Sequence, residues 1–208
     1  MFQRVLRFNY LPAAYIHPER RAGWMDEGLW SRLVACETGR RELSGMVFRR
    51  LDLDSPGFFD FAPLRRRFAL LQRETLTVLA RYSGAAFASQ RITRVIDGNR
   101  VVKLKEELGE DIYRFAVKRA PFLVSESLCQ GPDDDEDGGV EELGWRCLAR
   151  CHAGDPPELI ERLRLKFPLT LDIEFPNNIT ESDRDQAASL MKKVLLAEVK
   201  PELASCFK

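Results

Sequence analysis

The sequence predicts a mainly α-helical protein: an irregular single-domain helical bundle with long loops and one short extended or edge segment. Three observations predict it. Apolar residues recur at offsets of three and four over most of the chain, and the longest such stripe is Leu64, Phe68, Leu71, Thr75, Val78, Leu79 and Tyr82. Period-two alternation is confined to one place, Leu163 to Phe175. Clusters of glycine, proline and acidic residues separate the periodic segments. The chain has 208 residues, enough for one domain over 1–208 to bury roughly 70% of its unfolded surface without staples.

The chain opens on Phe8-Asn9-Tyr10-Leu11-Pro12-Ala13-Ala14-Tyr15-Ile16-His17-Pro18. Pro12 and Pro18 each oppose a helix passing through. Ala13, Tyr15 and Ile16 form a short apolar turn between them, and Phe8, Tyr10, Tyr15 and Ile16 are expected to anchor it on the fold. Trp30, Leu33 and Val34 share a helical face, which Gly39 is expected to end. Leu43 to Ala62 is irregular, and Leu51 to Gly57 reads as a loop. Pro63 then opens the longest helix. It is expected to run to Tyr82, about five turns, with Ser83-Gly84 as its stop, and to serve as the central packing element.

Three shorter apolar segments follow, 85–90, 101–108 and 110–119, separated by Asp97-Gly98-Asn99 and by Gly109. Residues 131–139 combine helix breakers with five consecutive acids, Asp133 to Asp137, and read as a solvated loop and the one internal break. Helix returns from Glu141 to Cys151 and ends near Gly154. Asp155 reads as the cap of the next helix, with proline just inside it. From Leu163 the odd-numbered apolar residues through Phe175 would share one face if extended, with Pro168 interrupting. The last helix starts at Thr180, where Asp183 completes a capping-box pattern. Its stripe is Ala187, Leu190, Met191, Val194 and Leu195.

Lysine plus arginine equals aspartate plus glutamate, which argues against a chain devoted to nucleic acid or to anionic membrane. No apolar run approaches the ~20 residues of a membrane helix, so no membrane insertion is expected. The N-terminus lacks the pattern of a signal peptide. Five cysteines at irregular spacing fit a reducing cytoplasm better than a disulfide framework.

Asp133, Asp135, Asp137 and Gly138 match the start of an EF-hand loop, but Gly144 stands where the bidentate glutamate belongs. Cys147 and Cys151 share a helical face beside His152, yet a closed zinc site needs four ligands. Small buried thiols are the expected reading. Arg65, Arg66 and Arg67 form a basic cluster near a helix start, where the dipole disfavours positive charge. That cost points to pairing with acids, of a partner or of the chain itself. No nucleotide-binding or hydrolase motif is present, and no enzyme activity or cofactor is expected.

Three places resemble the SctK (YscK-type) family of type III secretion accessory proteins. They are Phe8–Pro18, the stretch from Gly144-Trp145 through Arg162-Leu163-Arg164-Leu165-Lys166-Phe167-Pro168-Leu169, and the terminal Phe207-Lys208. The acidic run lies outside this pattern. The resemblance implies a non-enzymatic cytoplasmic adaptor at the cytoplasmic face of the inner membrane. Its implied partners are the cytoplasmic domain of the SctD-like ring protein and the SctQ-like pod protein, which leads on to SctL and the ATPase. A bridge needs two separable surfaces, and two clusters of opposite sign are expected to supply them: Arg65, Arg66 and Arg67, and Asp133, Asp134 and Asp135. Two other classes are a small Cys/His metal protein or enzyme, which bound metal would reveal, and a nucleic-acid-associated regulator, which salt-sensitive DNA binding would reveal.

Overall fold

Helices carry the fold. The computed structural model describes residues 1–53, 56–124, 139–171 and 173–207, and no strand occurs among the described residues. In chain order the α-helices are α1 (Phe2–Tyr10), α2 (Glu27–Ala35), α3 (Glu37–Arg50), α4 (Arg73–Phe87), α5 (Ser89–Thr93), α6 (Gly98–Leu108), α7 (Glu110–Lys118), α8 (Val140–Cys151), α9 (Pro157–Arg164) and α10 (Glu181–Val194). The chain divides into two compact units. One is Met1–Arg73 with Asp155–Asp172, the other Glu74–Gly154 with Ile173–Lys208.

In the first unit, α1 buries Val5, Phe8 and Asn9, while Tyr10 is exposed. The expected anchoring by Phe8, Tyr15 and Ile16 is present, but Tyr10 takes no part in the core. Short 3-10 turns at Pro12–Ala14 and Pro18–Arg21 put each proline in a first turn, where its missing N–H costs nothing. Asp26 caps α2 by accepting from the Leu29 N–H at 2.9 Å. Cys36, in extended conformation, separates α2 from α3. Gly39 is therefore no stop. It lies inside α3, where a Cβ would come within 2.5 Å of the Leu33 carbonyl oxygen, so it lets the two helices meet closely.

The single long helix expected over Pro63–Tyr82 is two elements. Leu64–Leu70 forms a 3-10 helix, Leu71 is extended, and α4 starts at Arg73. Lys166 supplies the reason. Its Nζ donates to the carbonyls of Ala69 at 2.5 Å and Leu71 at 2.7 Å. An unbroken α-helix would satisfy those two acceptors with the N–H groups of Arg73 and Thr75. No strand forms after Leu163 among the described residues. α9 ends at Arg164, and the Lys166 and Phe167 N–H groups close turns onto Leu163 and Arg164. The carbonyls of Leu165 and Phe167 accept from the His17 N–H at 2.7 Å and from Arg20 Nε at 2.8 Å. The backbone polarity that a sheet neighbour would have met goes to the N-terminal segment instead.

In the second unit, Gly84 also fails to stop its helix. A Cβ there would lie 1.7 Å from the Val140 carbonyl oxygen, and one on Gly144 would lie 1.7 Å from that of Ala80. Two backbones touch where α4 crosses α8, and only glycine fits. Gly109, at φ +84°, turns α6 into α7. Ile112, Phe115 and Ala116 of α7 are buried, as their shared face predicts. α10 packs against α8, and its Ala187, Leu190, Met191 and Val194 are buried. The Thr180 hydroxyl accepts from the Asp183 N–H at 3.1 Å, as the capping pattern predicts. A π turn over Leu195–Val199 and a 3-10 helix over Pro201–Phe207 complete the unit.

Candidate functional site

The basic cluster is engaged within the first unit. Arg65 Nη2 and Arg66 Nε both donate to Asp155 Oδ1 at 2.9 Å, Arg66 Nη1 pairs with Asp60, and Arg67 Nε donates to the Phe61 carbonyl at 3.1 Å. The Asp155 side chain is 0% exposed, against 13% for Arg65 and 15% for Arg66. Asp155 is thus not the cap of α9. Pro156 occupies that position without a side-chain hydrogen bond, and the buried carboxylate collects two guanidinium groups instead. The arginines sit on the 3-10 helix, not on a long α-helix. Asp133, Asp134 and Asp135, and with them the EF-hand-like run, lie outside the described residues.

Cys147, Cys151 and His152 are all buried in the second unit. Among the described residues no three His, Cys, Asp or Glu side chains are placed to hold a metal ion together. A cleft of about 270 Å³ in that unit is lined by Tyr82, Phe115 and charged side chains. Four of its charges pair with each other: Arg114 with Asp111 at 2.5 Å and Arg119 with Glu198 at 2.9 Å. Burial pushes the Tyr82 phenol above its ordinary value, helped by the nearby Asp111 and Glu198 carboxylates.

Of the three stretches that carry the family resemblance, the first and the end of the second meet inside the first unit. Phe8 and Tyr15 stack at 5.9 Å, and the Tyr15 hydroxyl donates to the Phe8 carbonyl at 2.6 Å. Lys166 Nζ lies 4.8 Å from the Tyr15 ring centre and 5.3 Å from that of Phe8, so both rings face a cation. Burial pushes the Tyr15 phenol well above its ordinary value, opposed by the charge of Arg162. Glu19 accepts from the Thr170 N–H at 2.9 Å and the Thr170 hydroxyl at 3.0 Å. The backbone bond above all holds its carboxyl below the ordinary glutamate value, against the opposing effect of burial, with the Thr170 hydroxyl bond adding to it. The N-terminal signature is therefore a folding device that clamps residues 162–170. Most of it is interior and unavailable to a partner.

One part of it is not interior. Tyr10 is 54% exposed and Phe59 57%, and their ring centres lie 6.5 Å apart. Asn9, buried beside them, holds the loop that carries Phe59. Its Nδ2 donates to the Phe58 carbonyl at 2.7 Å, and the Phe58 N–H donates to its Oδ1 at 2.8 Å. Sequence reasoning missed Asn9 and Phe59. The available signal was Phe58-Phe59 directly after Pro56-Gly57: two adjacent aromatics in a loop point to different sides, and only one of them can enter the core. Phe58 does so, at 8% exposed.

These observations define a class first: an all-helical protein in its described residues, with its arginine cluster paired internally and large apolar side chains left at the surface. The chain matches the family described as YOP proteins translocation protein K (YscK) over residues 4–208, and it belongs to that family, a component of type III secretion. No curated protein and no solved structure matches it.

Proposed function

We propose that the chain is a non-enzymatic adaptor of the injectisome sorting platform, acting at the cytoplasmic face of the inner membrane. It would join the cytoplasmic domain of the SctD-like ring protein to the SctQ-like pod protein, and through the pod to SctL and the ATPase, with residues 1–208 working as one unit of function. Membership of the YscK family over residues 4–208 carries this reading. Large apolar side chains stand exposed in each compact unit: Phe2, Tyr10 and Phe59 in one, Ile96, Val102 and Phe122 in the other. Exposed apolar surface of this kind suits protein contacts. Among the described residues no helix is long and apolar enough to cross a membrane, which suits a protein recruited by a membrane partner. Because Arg65, Arg66 and Arg67 are engaged internally, we propose that docking rests on the exposed aromatic side chains, with Asp133, Asp134 and Asp135 kept as the acidic contact for the second partner.

The test is a fluorescent fusion of the pod protein, imaged in secreting cells. Removing this chain is expected to disperse the membrane foci and stop secretion, with both restored by complementation. Foci and secretion that persist without the chain contradict the adaptor reading.

A further inference from the structure

Charge in the second unit is sorted along the chain, although the molecule as a whole is neutral. Residues 91–103 carry four bases, Arg91, Arg94, Arg100 and Lys103, against one acid, Asp97. The acids gather instead at the joint between α6 and α7. Glu106 and Glu107 stand in the last turn of one helix, and Glu110 and Asp111 in the first turn of the next. The latter two are already paired, Glu110 with Lys105 at 3.4 Å and Asp111 with Arg114 at 2.5 Å. Arg94, Arg100 and Lys103 are exposed and have no ionic partner among the described residues. The same holds for Lys118 in the last turn of α7.

The basic segments also carry the two most exposed large apolar side chains of the described residues, Ile96 at 94% and Phe122 at 87%. Each stands on a turn with an interior anchor. Ile92, four residues before Ile96, is buried, and so is Ala120 beside Phe122. The 3-10 turn Ala120–Phe122 packs against both α5 and α7. The Val95 N–H closes onto the Ile92 carbonyl at 3.2 Å, and Asp97 caps α6 by accepting from the Asn99 N–H at 3.2 Å. Ile96 is therefore presented by hydrogen-bonded backbone, yet almost nothing covers it.

We propose that Ile96 and Phe122, with Arg94, Arg100, Lys103 and Lys118, form a peripheral contact for an anionic bilayer surface. The bases meet the lipid headgroups, and the two apolar side chains reach past them to the acyl boundary. Binding of this kind scales with buried apolar area plus attraction to anionic lipid, and about 4–8 bases make such a patch. Together with the exposed Arg91 these segments supply five. The degree of exposure selects a bilayer over an acidic protein. A protein hot spot needs surrounding contacts that exclude water, and a side chain 94% exposed has no walls of its own. A bilayer closes around a lone protruding side chain. A second copy fits less well, since a two-fold contact sets like charges against each other. The acids of the α6–α7 joint are repelled by the same surface, so the sorted charge also sets the orientation. This goes beyond the adaptor reading and stands without it, and it leaves the exposed aromatic side chains of the first unit to protein contacts.

The experiment measures flotation of the purified full chain with vesicles of phosphatidylcholine alone and of equimolar phosphatidylcholine and phosphatidylglycerol. Three double variants are compared with wild type, each first checked for an unchanged melting temperature: Ile96→Ser with Phe122→Ser, Arg94→Glu with Arg100→Glu, and Arg4→Glu with Arg32→Glu. The last pair reverses two exposed arginines of the first unit and changes the net charge equally. Wild type is expected to bind the anionic vesicles alone, and less tightly at high salt. The serine pair and the Arg94/Arg100 reversal are each expected to weaken binding roughly tenfold or more, and the Arg4/Arg32 reversal to leave it near wild type. Wild type that ignores anionic vesicles at low salt overturns the proposal. So does a serine pair that binds as tightly as wild type, or equal losses in the two reversals, which would reduce the effect to net charge. A serine pair that loses the ring or pod protein but keeps the vesicles also overturns it, by giving these side chains a protein occupant. The vesicle assay contains neither ring nor pod protein, so its failure leaves the adaptor reading standing.

Discussion

Lys166 is 3% exposed, yet it carries an ammonium group. Two carbonyls and two aromatic faces replace its water. Lys166→Met keeps the stem but strands the Ala69 and Leu71 carbonyls, so it is expected to cost about 2–4 kcal/mol in denaturant unfolding, on the scale of buried unsatisfied groups. Asp155 poses the complementary case, a buried carboxylate between two guanidinium groups. Asp155→Ala is expected to cost about 3–5 kcal/mol, since it removes one partner of a buried ion pair. Arg41→Ala, which breaks the exposed pair with Glu37 at 2.6 Å, is expected to change stability by at most about 1 kcal/mol. Equal losses at the two sites, by the same denaturant titration, would refute the buried-anchor assignment. It also follows that reversing Arg65, Arg66 and Arg67 together tests folding before it tests docking.

Glu19 gives the first unit an acid sensitivity. Its folded value lies below the ordinary 4.5 because Thr170 donates to the charged form. A lowered folded value contributes stability that is present above the unfolded value and lost as pH falls through the folded one. Glu27 acts in the same direction through the Arg21 guanidinium. Stability is therefore expected to hold from neutrality to about pH 5 and to fall below 4.5, and Glu19→Gln is expected to flatten part of that fall. An unchanged acid limb in Glu19→Gln would show that the Thr170 contact contributes nothing.

At the scale of elements, the decisive contacts are between backbones. α4 and α8 meet at Gly84 and Gly144 with no room for a methyl group on either. Gly144→Ala must push the helices apart, and overpacking of this kind costs about 1–3 kcal/mol or more. It is expected to lower the melting temperature sharply, whereas Gly98→Ala, where a Cβ meets nothing within 4 Å, is expected to be neutral or mildly stabilising. A Gly144→Ala protein as stable as wild type would contradict the crossing.

This crossing also shows why parts of the fold were illegible. Gly84 ends an apolar stripe, so local reasoning makes it a stop; its real constraint comes from a helix some sixty positions on. The same applies to Pro63–Tyr82. The three-and-four spacing runs through Leu71 without a gap, and the break is set by Lys166, far along the chain. By contrast, the buried faces of α7 and α10 were legible. Their faces, their glycine break or threonine cap, and their burial all depend on neighbours within a few positions.

For the whole molecule, the helical class followed from periodicity, because the apolar spacing of three and four dominates the chain. Function was legible only through the resemblance of Phe8–Pro18, of Gly144-Trp145 through Leu169 and of the terminal Phe207-Lys208, and the first of these proves to contact the end of the second. The basic cluster misled for a physical reason. A run of arginines announces charge but not its partner, and Asp155 stands about ninety residues away. The exposed aromatic face went unread because exposure depends on what fails to cover a ring, which no local pattern records.

The central claim is that this chain holds two other proteins at once. The measurement that tests it most directly is size-exclusion chromatography with light scattering on three purified components: the chain, the cytoplasmic domain of the ring protein, and the pod protein. The account predicts a peak whose mass requires all three, together with no association of ring domain and pod protein when the chain is left out. Ring domain and pod protein that displace each other from the chain, or that associate equally well without it, would contradict the bridge.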